Sequence, residues 1–230
     1  MERKERAPKL PKTLLKFKSP DKDWLDRDWY KGRDELDFPY ARIILCGPPS
    51  SGKNLICNNI LCRTKFDQVV VWTYDKKSRE FDSIDHIRVH GPPPEELFSP
   101  EVRSCLILDD VNLSALKKDE QQYMERITGA LSSHRNITLI FMVQDVISSI
   151  PSCMRRNFNV FFVFRGADLR SLEVINSRVG LKKGSLQNIF KFIANQPGDS
   201  IRIDLTPGSP LPLALNGYQK LEDIDYSKEK

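Results

Sequence analysis

The sequence predicts an α/β fold with a mainly parallel central sheet and helices on both faces. Three observations carry that prediction. Five short, continuously apolar, β-rich runs lie at 41–46, 68–72, 104–108, 137–143 and 160–164, and unbroken apolar strands suit a sheet covered on both sides. Helical patterns at 53–63 and 118–134 fall between them and a third at 167–179 follows, and this alternation favours parallel strands joined by right-handed crossovers. A glycine-flanked loop joins the first strand to the first helix.

With 230 residues, 40% of them hydrophobic and 29% charged, the chain fits one globular domain with a substantial core and excludes a disordered one. A net charge of +5 permits a polyanionic partner without requiring one. The charged start Met1-Glu-Arg-Lys-Glu-Arg has no apolar stretch behind it, so no secretory signal is expected. The longest apolar runs are too short to span a bilayer, so no membrane partner is expected either. Cysteines at 46, 57, 62, 105 and 153 show no Cys-x-x-Cys spacing and read as reduced thiols, mostly buried. The three histidines, His86, His90 and His134, lack ligand-like spacing.

Residues 1–40 form a separate arm. Its first eighteen residues hold seven basic and two acidic side chains, broken by Pro8 and Pro11, and Trp24, Trp29 and Tyr30 follow. Such an arm packs on the domain or a neighbour through its aromatics, or stays a solvated tail. Residues 41–220 form the expected domain. Within it, Gly91-Pro-Pro-Pro-Glu-Glu breaks regular structure and then offers a short helix start. Residues 200–205 alternate as an exposed strand, Pro207-Gly-Ser-Pro makes a turn, and 211–215 return, which predicts a C-terminal β-hairpin. Residues 221–230 are a charged tail, expected to be disordered.

The first glycine-flanked loop carries the chemistry. Gly47, Pro48, Pro49, Ser50, Ser51, Gly52, Lys53 and Asn54 give the Gly-x-x-x-x-Gly-Lys spacing between a strand and a helix. Glycines let backbone N–H groups turn inward around phosphate oxygens, the helix start adds partial positive charge, and Lys53 adds a full one. ATP is therefore the expected ligand. At Asn54 an amide stands where this motif usually carries a Mg²⁺-binding hydroxyl; an amide oxygen is a weaker hard-cation ligand.

The run 105–110 is an apolar strand closed by Asp109 and Asp110. Asp109 is the expected Mg²⁺ ligand, with help from Asn54, and Asp110 the group that polarises an attacking water, since phosphoryl transfer relies on positioning and charge. An Asp that merely caps a following helix is the competing reading. Gln144 ends the buried strand 137–143. It is placed to sense the γ-phosphate or the water, or is an ordinary loop residue.

From Gly47 to Arg165 the chain resembles the FtsK–HerA superfamily of ring-forming P-loop motors, and within it the viral genome-packaging ATPases of poxviruses, other large DNA viruses and virophages. The resemblance rests on the loop 47–53, on Leu106-Ile-Leu-Asp-Asp, on Ser133-His-Arg-Asn-Ile-Thr-Leu-Ile-Phe-Met-Val-Gln and on Ile150-Pro-Ser-Cys-Met-Arg-Arg-Asn. It implies a RecA-like (ASCE-type) P-loop NTPase core in which another strand separates the P-loop strand from the acidic-pair strand. It also implies ATP hydrolysis coupled to translocation of double-stranded DNA, hexameric or pentameric rings with sites between subunits, and a capsid vertex protein as a further partner. The implied location is inside an infected host cell, in cytoplasm or nucleus, or in the virion.

The family's arginine that acts in a neighbour's site falls on Arg135, with Arg155 and Arg156 as second choices; a surface ion-pairing arginine is the alternative for Arg135. Lys182 and Lys183, with Arg178 nearby, make a candidate DNA-tracking loop or a solvated basic turn. Two other functions stay open: a non-catalytic, nucleotide-dependent assembly protein, for which Asn54 speaks, and a small-molecule phosphotransferase resembling a nucleoside kinase.

Overall fold

A computed structural model describes residues 41–192, 194, 198–206, 213–217 and 219–220. The expected arm, the Pro207 turn and the charged tail lie outside these residues. The described strands are β1 (Arg42–Cys46), β2 (Gln68–Thr73), β3 (Ile87–Val89), β4 (Ser104–Asp109), β5 (Ile137–Val143), β6 (Val160–Phe164), β7 (Ser200–Asp204), β8 (Leu213–Leu215) and β9 (Gln219–Lys220). The helices are α1 (Lys53–Arg63), α2 (Lys118–Arg126), α3 (Ser132–His134), α4 (Val146–Ser149), α5 (Ser152–Arg155), α6 (Leu169–Arg178) and α7 (Ser185–Phe192).

One sheet holds all the described strands in the order β3-β2-β4-β5-β1-β6-β7-β8-β9. From β3 to β6 every pairing is parallel, and β7 to β9 add on antiparallel. β5 lies between the P-loop strand β1 and the acidic strand β4, as the resemblance implied. Alternation along the strands divides the interior into two cores. Ile43, Leu45, Val71, Ile107 and Met142 pack with Cys57, Ile60 and Leu61 of α1 on one face. Ile44, Trp72, Leu108 and Phe141 pack with Met124 of α2, Ile175 of α6 and Ile189 of α7 on the other. Cys46, Cys57 and Cys105 are buried within these layers, and burial pushes the Cys46 thiol up to about 12. No helix among the described residues is long and apolar enough to cross a membrane.

Three elements depart from the sequence expectation. The helix expected over 118–134 is interrupted by a π-helical turn at Ile127–Leu131. There Arg42 Nη2 donates to the Gly129 carbonyl at 2.7 Å and Arg42 Nε to Ser132 Oγ at 2.8 Å, so a strand residue captures a helix carbonyl. The strand expected to be exposed at 200–205 is buried at all five positions of β7. It is an interior strand between β6 and β8, where Arg202 Nη2 donates to Asp204 Oδ2 at 2.9 Å and Thr206 N–H to Asp204 Oδ1 at 2.9 Å. The third departure is β3, whose three residues are too few for periodicity to reveal; it pairs in parallel with β2 at the sheet edge.

Candidate functional site

In a parallel sheet, ligands meet the carboxyl ends of the strands where the chain reverses its order. Here β1 is that point, with β5 on one side and β6 on the other. The residues after β1 form a loop that holds its own shape. Ser51 N–H donates to the Pro48 carbonyl at 3.3 Å, and Ser50 and Gly52 take left-handed backbones with φ of 59° and 105°. Gly47 tolerates no side chain. A Cβ there would stand 2.6 Å from Phe164 Cβ and 2.9 Å from Ser51 Oγ. Gly52 opens α1 without a side-chain cap, which leaves the first-turn N–H groups for an anion.

Lys53 is 8% exposed, and its Nζ donates to the Gly47 and Pro48 carbonyls at 2.9 and 3.0 Å. The Ser51 hydroxyl is buried and makes no hydrogen bond in the fold. An unmatched buried donor within a glycine-flanked loop is what a phosphate oxygen satisfies. These features fit a nucleotide's phosphates.

Asp109 closes β4 and faces the same cleft, of about 740 Å³, as Lys53 and Asn54. Its carboxyl is pushed up to about 6, chiefly by burial, then by the charges of Glu80 and Asp110, against the opposing pull of Lys53 and a hydrogen bond with Thr73. Asp110 follows in a left-handed conformation, φ 49°, which Asp tolerates better than most residues. Its N–H donates to the Met142 carbonyl of β5 at 3.1 Å. Gln144, exposed at the end of β5, donates from Nε2 to Asp110 Oδ2 at 3.4 Å. The loop, Asp109 and Asp110 therefore line one cleft, and Gln144 touches Asp110.

Arg135 lies beyond the other end of β5 from Gln144, and the seven-residue strand between them alone spans roughly 20 Å. Its guanidinium is engaged within its own chain: Nη1 donates to the Glu95 and Phe98 carbonyls, both at 3.0 Å, and Nη2 pairs with Glu95 Oε1 at 2.5 Å. Arg155 donates to the Val146 and Ile147 carbonyls, at 3.4 and 3.2 Å, and Arg156 Nε to the Cys153 carbonyl at 3.2 Å. The structure brings none of the three to this chain's phosphate cleft. Lys182 and Lys183 are exposed on the turn between α6 and α7, where Asn176 Nδ2 holds the Lys182 carbonyl at 2.5 Å.

Thr73 and Glu80 are among the cleft residues that escaped the reading of the sequence. Thr73, the last residue of β2, and Glu80, in the loop after it, both line the cleft. Thr73 had a signal: it ends an apolar strand, as Asp109 and Gln144 nearly do. Glu80 had none, because a long loop returns it to the site.

The sheet order, the glycine-flanked cradle and the acidic strand end define a RecA-like P-loop NTPase fold. Comparison with solved structures agrees. The DNA-packaging ATPase B204 from Sulfolobus turreted icosahedral virus superposes with a TM-score of 0.56, covering 79% of this chain and 98% of that one at 13% identity. The genome-packaging NTPase B204 of Sulfolobus turreted icosahedral virus 2, bound to AMP, gives 0.55 over 80% of this chain and 99% of that one at 14% identity. The pCW3 conjugation coupling protein TcpA, with ATPγS, gives 0.51 over 76% and 60% at 14% identity. No family model matches the chain. Two curated relatives, both Replication factor C large subunits of Methanococcus maripaludis, are 25% and 26% identical over 184 residues. The match covers 79% of this chain but 36% of their length.

Proposed function

We propose that this chain is a Mg²⁺-dependent ATPase that drives double-stranded DNA, and that its cargo is a viral genome entering a capsid. One observation carries the ATPase reading: a cradle with no room for a side chain at Gly47 shares a cleft with Lys53, Asp109 and Asp110. The backbone donors of the loop, the Ser51 hydroxyl and Lys53 hold the phosphates. The cleft's oxygen donors, the Asp109 carboxylate and the Asn54 amide, fit a hard divalent cation. Bound there, Mg²⁺ would neutralise charge developing on the phosphate oxygens. Asp110 accepts a hydrogen bond from the attacking water, and Gln144 orients the Asp110 carboxylate. The structural likeness to packaging and coupling ATPases supports a translocase of this kind, and the exposed Lys182–Lys183 turn offers sequence-independent phosphate contacts.

Asn54 favours a second reading, an assembly protein that binds ATP without releasing phosphate. One experiment separates the two: steady-state phosphate release with Mg²⁺ and ATP, with and without double-stranded DNA, beside Lys53→Ala. Turnover that rises with DNA and is lost in the variant supports the motor. ATP binding with no release under either condition overturns it in favour of the assembly protein.

A further inference from the structure

The P-loop carries an amide at position 54 where the motif usually supplies a hydroxyl to the metal, yet the cleft holds a hydroxyl of other origin. Alternation along β2 puts Val69 and Val71 on the α1 face of the sheet, in one buried cluster with Cys57 and Ile60. Thr73 continues that alternation. Along β4, Cys105 and Ile107 lie on the same face, and Asp109 continues them. Thr73 and Asp109 are direct partners in the parallel register of β2 and β4. Both line the cleft with Asn54, which sits one turn before Cys57 on α1.

Thr73 is 3% exposed, and its hydroxyl is oriented by its neighbours. Asp75 N–H donates to Thr73 Oγ1 at 3.2 Å, and the strand register sets Thr73 directly beside Asp109. A threonine hydroxyl has one hydrogen and two lone pairs. With one lone pair taken by Asp75, the second remains for a ligand in the cleft. The strand end itself is anchored, since His90 Nδ1 lies 2.9 Å from the Thr73 carbonyl. The hydroxyl is therefore preorganised beside the carboxylate.

We infer that Thr73 supplies, from the end of β2, the metal-facing hydroxyl that the P-loop lacks at Asn54. Divalent-cation coordination in this chain is then shared between β2 and β4 rather than between α1 and β4. Asn54 is left to hold a metal-bound water or a phosphate oxygen through its amide. Thr73 acts as a ligand and has no role as an acid or base, and the assignment rests on the Mg²⁺-nucleotide reading of the cleft.

The test is Mn²⁺ binding to the full chain saturated with a non-hydrolysable ATP analogue, read by electron paramagnetic resonance, with nucleotide affinity in chelator measured beside it. Thr73→Val and the smaller Thr73→Ala are expected to weaken Mn²⁺ by between about 10- and 100-fold. Metal-free nucleotide affinity should stay unchanged, and Thr73→Ser should keep Mn²⁺ affinity. Adding Asn54→Thr to Thr73→Val is expected to restore Mn²⁺ binding, because the hydroxyl returns to its usual place.

Unchanged Mn²⁺ affinity in both truncations overturns the inference and leaves the ATP site intact. A loss that Asn54→Thr does not rescue also overturns it, since Thr73 would then act only by positioning Asp109. A parent chain that binds neither nucleotide nor Mn²⁺ overturns the nucleotide reading itself.

Discussion

Gln144 donates its side-chain amide to the Asp110 carboxylate across 3.4 Å, linking the ends of two neighbouring strands, β5 and β4. Asp110 holds its left-handed turn with a backbone bond to Met142, two residues before Gln144. The two side chains therefore share one frame. Asp110→Asn keeps the turn, because Asn also tolerates this backbone, but loses the carboxylate to which the proposed mechanism assigns the attacking water. It is expected to cut phosphate release by about a hundredfold or more while ATP binding persists, as single-turnover assays beside equilibrium binding will show. Gln144→Leu should follow with a smaller loss, since it removes the orienting donor and leaves the carboxylate.

Gly47 faces Phe164 of β6 so closely that a methyl group has nowhere to go. Gly47→Ala is expected to cost about 1–3 kcal/mol of stability, as overpacking does, and to abolish the upward melting shift produced by ATP. Thermal melts with and without nucleotide check both effects.

Asp109 titrates near 6 because burial and the charges of Glu80 and Asp110 disfavour its ionised form. Its pKa in the fold lies above its ordinary value, so the folded chain binds the proton more tightly than the unfolded one. Stability then falls as pH rises from about 4 through 6, the cost being fully present above that range. Asp109→Asn should melt higher than the parent at about pH 7.5 and converge with it below about pH 4. In the parent, Mg²⁺-dependent nucleotide binding should decline as pH falls through 6.

Arg202 and Asp204 form a pair exposed to 2% and 0% between β6 and β8. Replacing one partner removes the opposite charge that the other faces at 2.9 Å in the interior. Arg202→Met is expected to lower stability by about 3–5 kcal/mol. Urea unfolding measures the loss, and the paired replacement of both residues by apolar ones should recover much of it.

Arg135 clamps the turn Glu95–Leu97 through two carbonyls and the Glu95 carboxylate. Arg135→Ala is expected to cost about 1–2 kcal/mol by leaving those acceptors unmet, and Glu95→Ala less. A loss of turnover in Arg135→Ala that Glu95→Ala does not share would show the arginine acting on a neighbour's nucleotide. Equal, purely thermal effects would mark it as a clamp.

Local pattern made much of this molecule legible. The boundaries of α1, β5 and β6 follow from runs of apolar residues between polar or glycine breaks, and so do the P-loop and the Asp109–Asp110 strand end. Each of those signals lies within a dozen consecutive residues, where period and chain direction suffice. What tertiary structure decided was which distant residues meet. β7 is buried because its side chains join the core that α6 and α7 cover, which no alternation of its own announces. Arg135 is spent on Glu95, forty residues earlier in the chain. Thr73 stands beside Asp109 only because β2 and β4 pair in parallel with that register. Glu80 reaches the cleft through a loop. Sequence alone determined the strands β1, β2, β4, β5 and β6, the glycine-flanked loop and the acidic strand end, because those rest on neighbours in the chain. The composition of the cleft wall formed by Thr73 and Asp109 depends on strand order and register, which are settled by packing two cores against one sheet.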